Sequence, residues 1–468
     1  MFHTSPVNKL PVEILTEIFK IYAASSSPEL LNWGVVALCL VRKYWNAVAK
    51  RTPELWTSIN ITFPITQDNL AAAFRRLQAS RREEINVSID FRDPDWDGNE
   101  DFDEDVDIDA MKESIWVQNI MTVLEGTESR WKSIKVVSEV WLPLYKLMET
   151  WTSTDLPSLQ SISMERANTV FGMLNVGFDP EPLIDPMTLF GKKASFPKLR
   201  DLSLSAVHVD WVDICVGFKN LRKLEIKNMT RDVCPTFHEF AAMLSTSPQL
   251  ECLDISGFCP VRAGPGVQFG GPPVPFMNLP ALKEFTFGWK DVDYCYSFLM
   301  MFQIGSTLET LTLADTESGY GYGYWRDQLA GGQSWVQNSE GIFDVLCQSG
   351  MRAWQMNKNE TYLPQAGFIS MHGVKRLRIA WTTINQDSAL IPLLGMLTEL
   401  EEVELEDVDG RVLEAIAWVE GGKAMEDRRL RRVDLRWMWQ ERIPSSAEGF
   451  IWHLKGAGVS VSTQVAGK

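Results

Sequence analysis

The sequence predicts a mixed α/β protein: a short N-terminal helical unit, then a long, irregular solenoid of repeated strand-and-return segments on a curved parallel sheet. Two patterns predict it. Residues 10 to 56 carry apolar positions at helical spacing, and from Trp131 onward one apolar triplet recurs at repeat-like intervals.

The composition suits a folded body. The chain has 468 residues, 45% hydrophobic and 23% charged, which are globular proportions. Its 45 Lys and Arg against 61 Asp and Glu leave a net charge of −16. Binding a nucleic-acid backbone requires cations that displace counterions, so nucleic acid is not an expected partner. Anionic membrane surfaces are disfavoured for the same reason. The N-terminus MFHTSPVNKLPVEIL shows no secretory signal, and no apolar run approaches the ~18 residues that would suggest a membrane-spanning helix. The seven cysteines are odd in number and scattered, with no C-x-x-C. They read as free, mostly buried thiols of a reducing compartment, so a cytoplasmic or nuclear location is expected.

In the segment LPVEILTEIFKIY, Leu10, Ile14 and Ile18 lie four apart, as do Leu15 and Phe19, which predicts one amphipathic helix. Pro11 suits the first helical position and Glu13 the positive end of the helix dipole. The polar stretch from Ala23 to Pro28 ends it. A second helical run follows through Val35, Leu38, Val41, Trp45 and Val48. Thr52-Pro53-Glu54-Leu55-Trp56 then reads as a turn, and Ser58 to Thr62 alternates like a strand. So short a unit cannot bury all its apolar residues internally, and the surplus points to a partner surface.

Leu10-Pro11, Glu13, Ile14-Leu15, Glu17-Ile18-Phe19, Val41, Trp45 and Pro53-Glu54-Leu55-Trp56 together resemble the F-box motif, and the pattern is similar to the large fungal set of F-box proteins. The resemblance covers about fifty residues, taken as a three-helix F-box domain over 6–60. It departs from the family at Arg42, where Cys is common, and in a long linker between the first two helices. It implies binding of a Skp-type adaptor, and through it a cullin ligase. The adaptor contacts would come from Leu10, Pro11, Ile14, Leu15, Ile18, Val41, Trp45, Leu55 and Trp56, some of which must instead pack inside the hook.

The triplet L-x-x-L-x-L begins as Trp131/Ile134/Val136, Leu159/Ile162/Met164, Leu199/Leu202/Leu204 and Leu221/Leu224/Ile226. It continues as Leu250/Leu253/Ile255, Leu282/Phe285/Phe287 and Leu308/Leu311/Leu313. It resumes as Val374/Leu377/Ile379, Leu400/Val403/Leu405 and Leu430/Val433/Leu435. Most intervals fall in or near the ~20–29 residues of leucine-rich repeats. A leucine-rich-repeat-like solenoid is therefore expected over 61–468, each unit a strand with a returning segment. Returning helices are expected over Phe237–Leu244 and Ile391–Leu397. Ile85/Val87/Ile89 and Val459/Val461 read as the first and last strands. The Asn usual after the last apolar position of such repeats is absent; Val207, Met229, Phe258 and Met438 stand there instead. The gap from Leu308 to Val374 leaves room for an insertion or an unread repeat.

No motif for catalysis appears: there is no G-x-S-x-G, H-E-x-x-H or Walker A loop, and the five histidines are far apart. Neither an enzyme nor a cofactor is expected. Asp93 to Glu104 satisfies the EF-hand calcium-loop expression, with Gly98 at the turn and Glu104 at the end. A strand precedes it where a helix is needed, and Glu100 stands where an apolar residue belongs. The segment 93–109 is read as a solvated acidic loop, so no metal is expected. Gly319–Tyr324, within a Gly/Tyr-rich insertion at about 316–340, and the Pro/Gly-rich stretch 260–275 are read as exposed loops. Between the triplet positions, outward-facing residues form charged rows: Lys223, Glu225 and Lys227; Arg376 and Arg378; Glu402, Glu404 and Glu406; Arg432, Asp434 and Arg436. They read either as cross-strand ion-pair ladders or as the surface that binds an unidentified protein client. The alternative to a ligase subunit is a leucine-rich-repeat scaffold acting outside any ubiquitin ligase.

Overall fold

A computed structural model describes residues 10–25, 28–94, 106–151, 156–167, 178, 183, 185–191, 196–257, 260, 276–289, 298–316, 334–358, 367–385, 388–422, 429–437, 443–444 and 447–465. The chain is mixed α/β. Among the described residues, thirteen strands belong to a large parallel sheet and three to a small one. The chain forms two compact units, residues 1–168 with 185–203, and residues 169–184 with 204–468.

The first unit opens with three helices, α1 (Val12–Ser25), α2 (Pro28–Val41) and α3 (Lys43–Arg51), and a 3-10 turn over Pro53–Trp56. The second helical run is therefore two helices. Arg42 between them is fully extended, at φ −159° and ψ 157°, which breaks the period that the sequence carries across it. Pro11 precedes α1 rather than opening it, and its carbonyl accepts from Leu15 N at 3.1 Å. Next come β1 (Ser58–Thr62), α4 (Gln67–Ala79), β2 (Ile85–Asp90), α5 (Val106–Leu124), β3 (Trp131–Ser138), α6 (Trp141–Thr150) and β4 (Ser161–Arg166). Thr66 caps α4 by accepting from Asn69 N at 3.3 Å. β1 is paired in parallel with β2, so it, not Ile85–Ile89, is the first strand. The boundary expected at 60/61 lies within it. In register, Ile59 faces Val87, Val87 faces Ile134, and Ile134 faces Ile162. Trp151, at the end of α6, stacks on Phe190 at 4.9 Å and meets Trp131 edge-on at 6.0 Å.

β5 (Asp201–Ser205) spans the division between the units. The second unit continues with α7 (Trp211–Gly217), β6 (Lys223–Lys227), α8 (Phe237–Ser245), β7 (Cys252–Ser256), β8 (Met277–Asn278), β9 (Glu284–Trp289), β10 (Phe302–Ile304) and β11 (Thr310–Asp315). It ends with α9 (Ser334–Lys358), β12 (Phe368–Ile369), β13 (Arg376–Ala380), α10 (Leu390–Met396), β14 (Glu402–Glu406), α11 (Gly410–Gly422), β15 (Arg432–Trp437), α12 (Ala447–Gly456) and β16 (Ser460–Val465). The returning helices expected over 237–244 and 391–397 are α8 and α10. Thr236 and Glu239 form a capping box on α8, with Glu239 N donating to Thr236 Oγ1 at 3.2 Å and Thr236 N to Glu239 Oε2 at 2.7 Å.

All ten triplets lie at strands of the large sheet, and all thirty of their residues are at most 6% exposed. Register aligns them: Leu224, Leu253, Phe285, Leu311, Leu377, Val403, Val433 and Val461 face one another in turn. A slip of one residue would turn every one of these side chains outward, so burial fixes the register.

β11 pairs directly with β13, so the stretch from Leu313 to Val374 is an insertion and adds no strand to the large sheet. It contains α9, whose start at Ser334 lies inside the segment expected to be loop. Gly319–Tyr324 and residues 261–275 lie outside the described residues. β8, β10 and β12 form the small parallel sheet, so three of the segments between strands of the large sheet contain a short extended piece. Met277, Phe302, Ile304 and Ile369 are buried in it.

Where a repeat Asn is absent, backbone geometry bridges neighbouring strands. Ala206, Asn228, Gly257, Trp381 and Asp407 each follow a strand in the left-handed region, with φ between 46° and 61°. Each donates its N–H to the last or penultimate carbonyl of the neighbouring strand in the sheet, at 2.8–2.9 Å. Val207 and Met229, at the position of the missing Asn, are buried apolar residues. Phe258 and Met438 lie outside the described residues.

Of the five described cysteines, Cys347 is buried, and Cys39, Cys215, Cys234 and Cys252 are half-buried, so these thiols are less enclosed than expected. Burial pushes the Cys252 and Cys347 thiols up to about 12 and Cys215 up to about 11. Only the thiolate is nucleophilic. Iodoacetamide at pH 8 should therefore modify these three about a hundredfold more slowly in the native chain than in urea, read site by site by mass spectrometry. Equal native and unfolded rates would contradict that protection.

Among the described residues no helix is long and apolar enough to cross a membrane.

Candidate functional site

The N-terminal hook is held by a small core of Leu15, Phe19, Val35, Val48, Ala49 and Leu55, with Leu38, Cys39, Trp45 and Trp56 packed against it. Phe19 meets Trp45 edge-on, with ring centroids 5.2 Å apart. Trp56 Nε1 donates to Ala49 O at 2.9 Å, and Asn46 Nδ2 to Cys39 O at 3.1 Å. Lys20 on α1 reaches Glu54 at 2.9 Å and so ties the helix to the 3-10 turn. The Glu54 carboxyl is held below its ordinary value, first by its own backbone N–H and then by Lys20. The Lys20 hydrogen bond to Glu54 raises the lysine in turn.

This core divides the expected adaptor residues. Leu15 and Leu55 are buried, Trp45 and Trp56 are half-buried against them, and all four hold the hook together. Leu10 is half-buried, and its carbonyl accepts from Tyr44 Oη at 3.5 Å. Pro11, Ile14, Ile18 and Val41 face outward, Ile14 at 50% and Ile18 at 44% exposure. Val12, Ile21, Tyr22, Val36, Leu40 and Tyr44 are exposed as well, and the sequence reading missed them. The signal was present: Ile14, Ile18 and Ile21 follow an i, i+4, i+7 stripe, and Val36 and Leu40 lie four apart. Among the described residues, nine of the seventeen exposed large hydrophobic side chains thus fall between Val12 and Tyr44. Scattered apolar residues are ordinary on protein surfaces, whereas a concentration of this kind marks an interaction site.

The charged rows of the second unit are largely self-paired. Arg376, Glu402 and Arg432 stand in one cross-strand line, and Arg378, Glu404 and Asp434 in the next. Arg378 bridges Glu404 at 3.4 Å and also pairs with Glu406. Arg436 reaches Glu404 at 3.0 Å, and Arg432 reaches Asp434 at 2.8 Å. Asp434 also accepts from Ser462 Oγ. Lys223 and Lys227 both pair with Glu225, and Lys227 pairs with Asp254 at 2.9 Å. A further row, which the sequence reading missed, runs just ahead of the strands as Arg222, Glu251, Lys283, Glu309, Lys375, Glu401 and Arg431, alternating in sign throughout. Four ion pairs join it, at 2.8–3.8 Å.

Exposed pairs of this kind contribute about 0.2–1 kcal/mol each. Arg378→Ala with Arg432→Ala should therefore lower stability only slightly in urea unfolding. If the row is only a ladder, client capture should survive the double variant. A steep, salt-dependent loss of capture with stability unchanged would make the row a recognition surface.

Among the described residues no group of three or more His, Cys, Asp or Glu could hold a metal ion. Residues 95–105 of the acidic segment lie outside the described residues, whereas Val106–Asp109, expected in the loop, open α5. No protein-family model matches the chain, and no curated protein matches it.

Proposed function

We propose that the chain is the substrate-receptor subunit of an SCF-type ubiquitin ligase. Its hook acts as an F-box that takes a Skp-type adaptor and through it a cullin. The remainder, read as a leucine-rich-repeat solenoid, holds a protein client. The observation that carries the reading is the concentration of nine exposed apolar side chains, among the described residues, on so small a helical unit. The F-box-like residues on the same helices support it. The test is affinity capture of the full chain with a purified Skp-type adaptor. A stoichiometric complex is expected. A chain that retrieves other proteins from extract but never the adaptor would be a scaffold outside any ligase.

A further inference from the structure

We propose that the second unit carries a small-molecule site, and that its ligand is a neutral aromatic compound bearing a hydroxyl. The site is a cavity of about 550 Å³ between α9, the segment that follows β12, and the end of α10. That volume lies within the ~300–1,000 Å³ typical of small-molecule pockets. Three methionines from three separate elements line it: Met351 on α9, Met371 after β12 and Met396 on α10. Thioethers adapt to irregular shapes and make favourable contacts with aromatic rings. Gly395, also in the lining, has nothing within 4 Å of where a Cβ would stand. Gly350 is where α9 comes close: a Cβ there would stand 2.9 Å from Met396 Sδ and 3.2 Å from Met371 Cγ.

The polar side chains of the wall are Ser370 and one hydrogen-bonded pair. His372 Nδ1 and Thr398 Oγ1 share a hydrogen bond of 2.7 Å. If the threonine donates, His372 Nε2 carries the proton and is a donor; if it accepts, Nε2 is an acceptor. A ligand hydroxyl satisfies either state. Among the described residues the lining contains no Lys, Arg, Asp or Glu. Nothing there would offset the cost of desolvating an ionised ligand, so the compound is neutral.

The test is calorimetric titration of the full chain with 2-naphthol. One saturable site with a Kd of about 100 µM or tighter is expected, as for a fragment-sized ligand. 1-Octanol, which has an aliphatic hydroxyl and no rings, should bind about tenfold more weakly or worse. Gly395→Phe, which fills the cavity, should weaken 2-naphthol about tenfold or more without lowering the melting temperature. Should Gly395→Phe melt early, Met351→Ala decides: Met351 is half exposed, and its loss removes one thioether from the wall. A several-fold weaker Kd for Met351→Ala supports the site. The proposal is overturned by an absence of saturable heat, by octanol binding as well as naphthol, or by an unchanged affinity in the well-folded variants.

Discussion

Ile14→Glu combined with Ile18→Glu should abolish capture of a Skp-type adaptor while leaving the chain folded. Both side chains are about half exposed and lie outside the hook core, so two carboxylates in their place meet water rather than protein. In a complex they would be buried without partners, and each unpaired charge at an interface centre costs several kcal/mol. A loss of about a hundredfold or more in affinity follows. Leu15→Ala provides the contrast. Leu15 is 1% exposed and packs in the hook core. Its truncation should cost about 2–5 kcal/mol locally, and weaken capture by loosening the hook rather than by spoiling the surface. Circular dichroism separates the two, since only Leu15→Ala should lower an early melting transition. Adaptor binding retained by the double glutamate variant would remove the hook from the interface and leave it a helical cap.

The contrast also shows why the hook was less legible in the sequence than the strands. In α1, Leu15 and Phe19 sit one residue beyond Ile14 and Ile18, about 100° around the helix. Two apolar stripes therefore run side by side, and only the packing of α2, α3 and the 3-10 turn selects the one that goes inward. The periodic run from Val35 to Val48 misled for a related reason. Apolar spacing continues across Arg42 although the backbone there is extended. The strand triplets were legible because a period of two admits one inward face, and neighbouring strands repeat it in register. The short extended pieces β8, β10 and β12 were not: two or three residues are too few to show a period. α9 was missed because its first residues lie within a stretch whose Gly and Tyr content reads as loop.

The largest loss of stability should come from Phe298→Ala. Phe298 is fully buried and sits among four other rings: Phe302 at 5.0 Å, Phe240 at 5.5 Å, Phe237 at 6.1 Å and Phe287 at 6.2 Å between centroids. These rings come from α8, β9 and β10, so a single side chain joins a returning helix, a strand of the large sheet and a strand of the small one. Truncating a buried Phe costs about 3–5 kcal/mol, because the cavity left behind cannot fully collapse. Lost ring-pair geometry acts in the same direction, at about 0.5–1.5 kcal/mol per pair. Set against a total stability of about 5–15 kcal/mol, that is about a fifth or more of what holds a domain folded. In a unit of this size the melting midpoint should fall by about 6–20 °C. Phe298→Leu keeps most of the volume and should recover more than half of that fall. Phe74→Ala, at an exposed ring on α4, should stay within about 0.5 kcal/mol of the parent. A Phe298→Ala midpoint within about 2 °C of the parent would mean that this aromatic cluster is not the joint between the sheets.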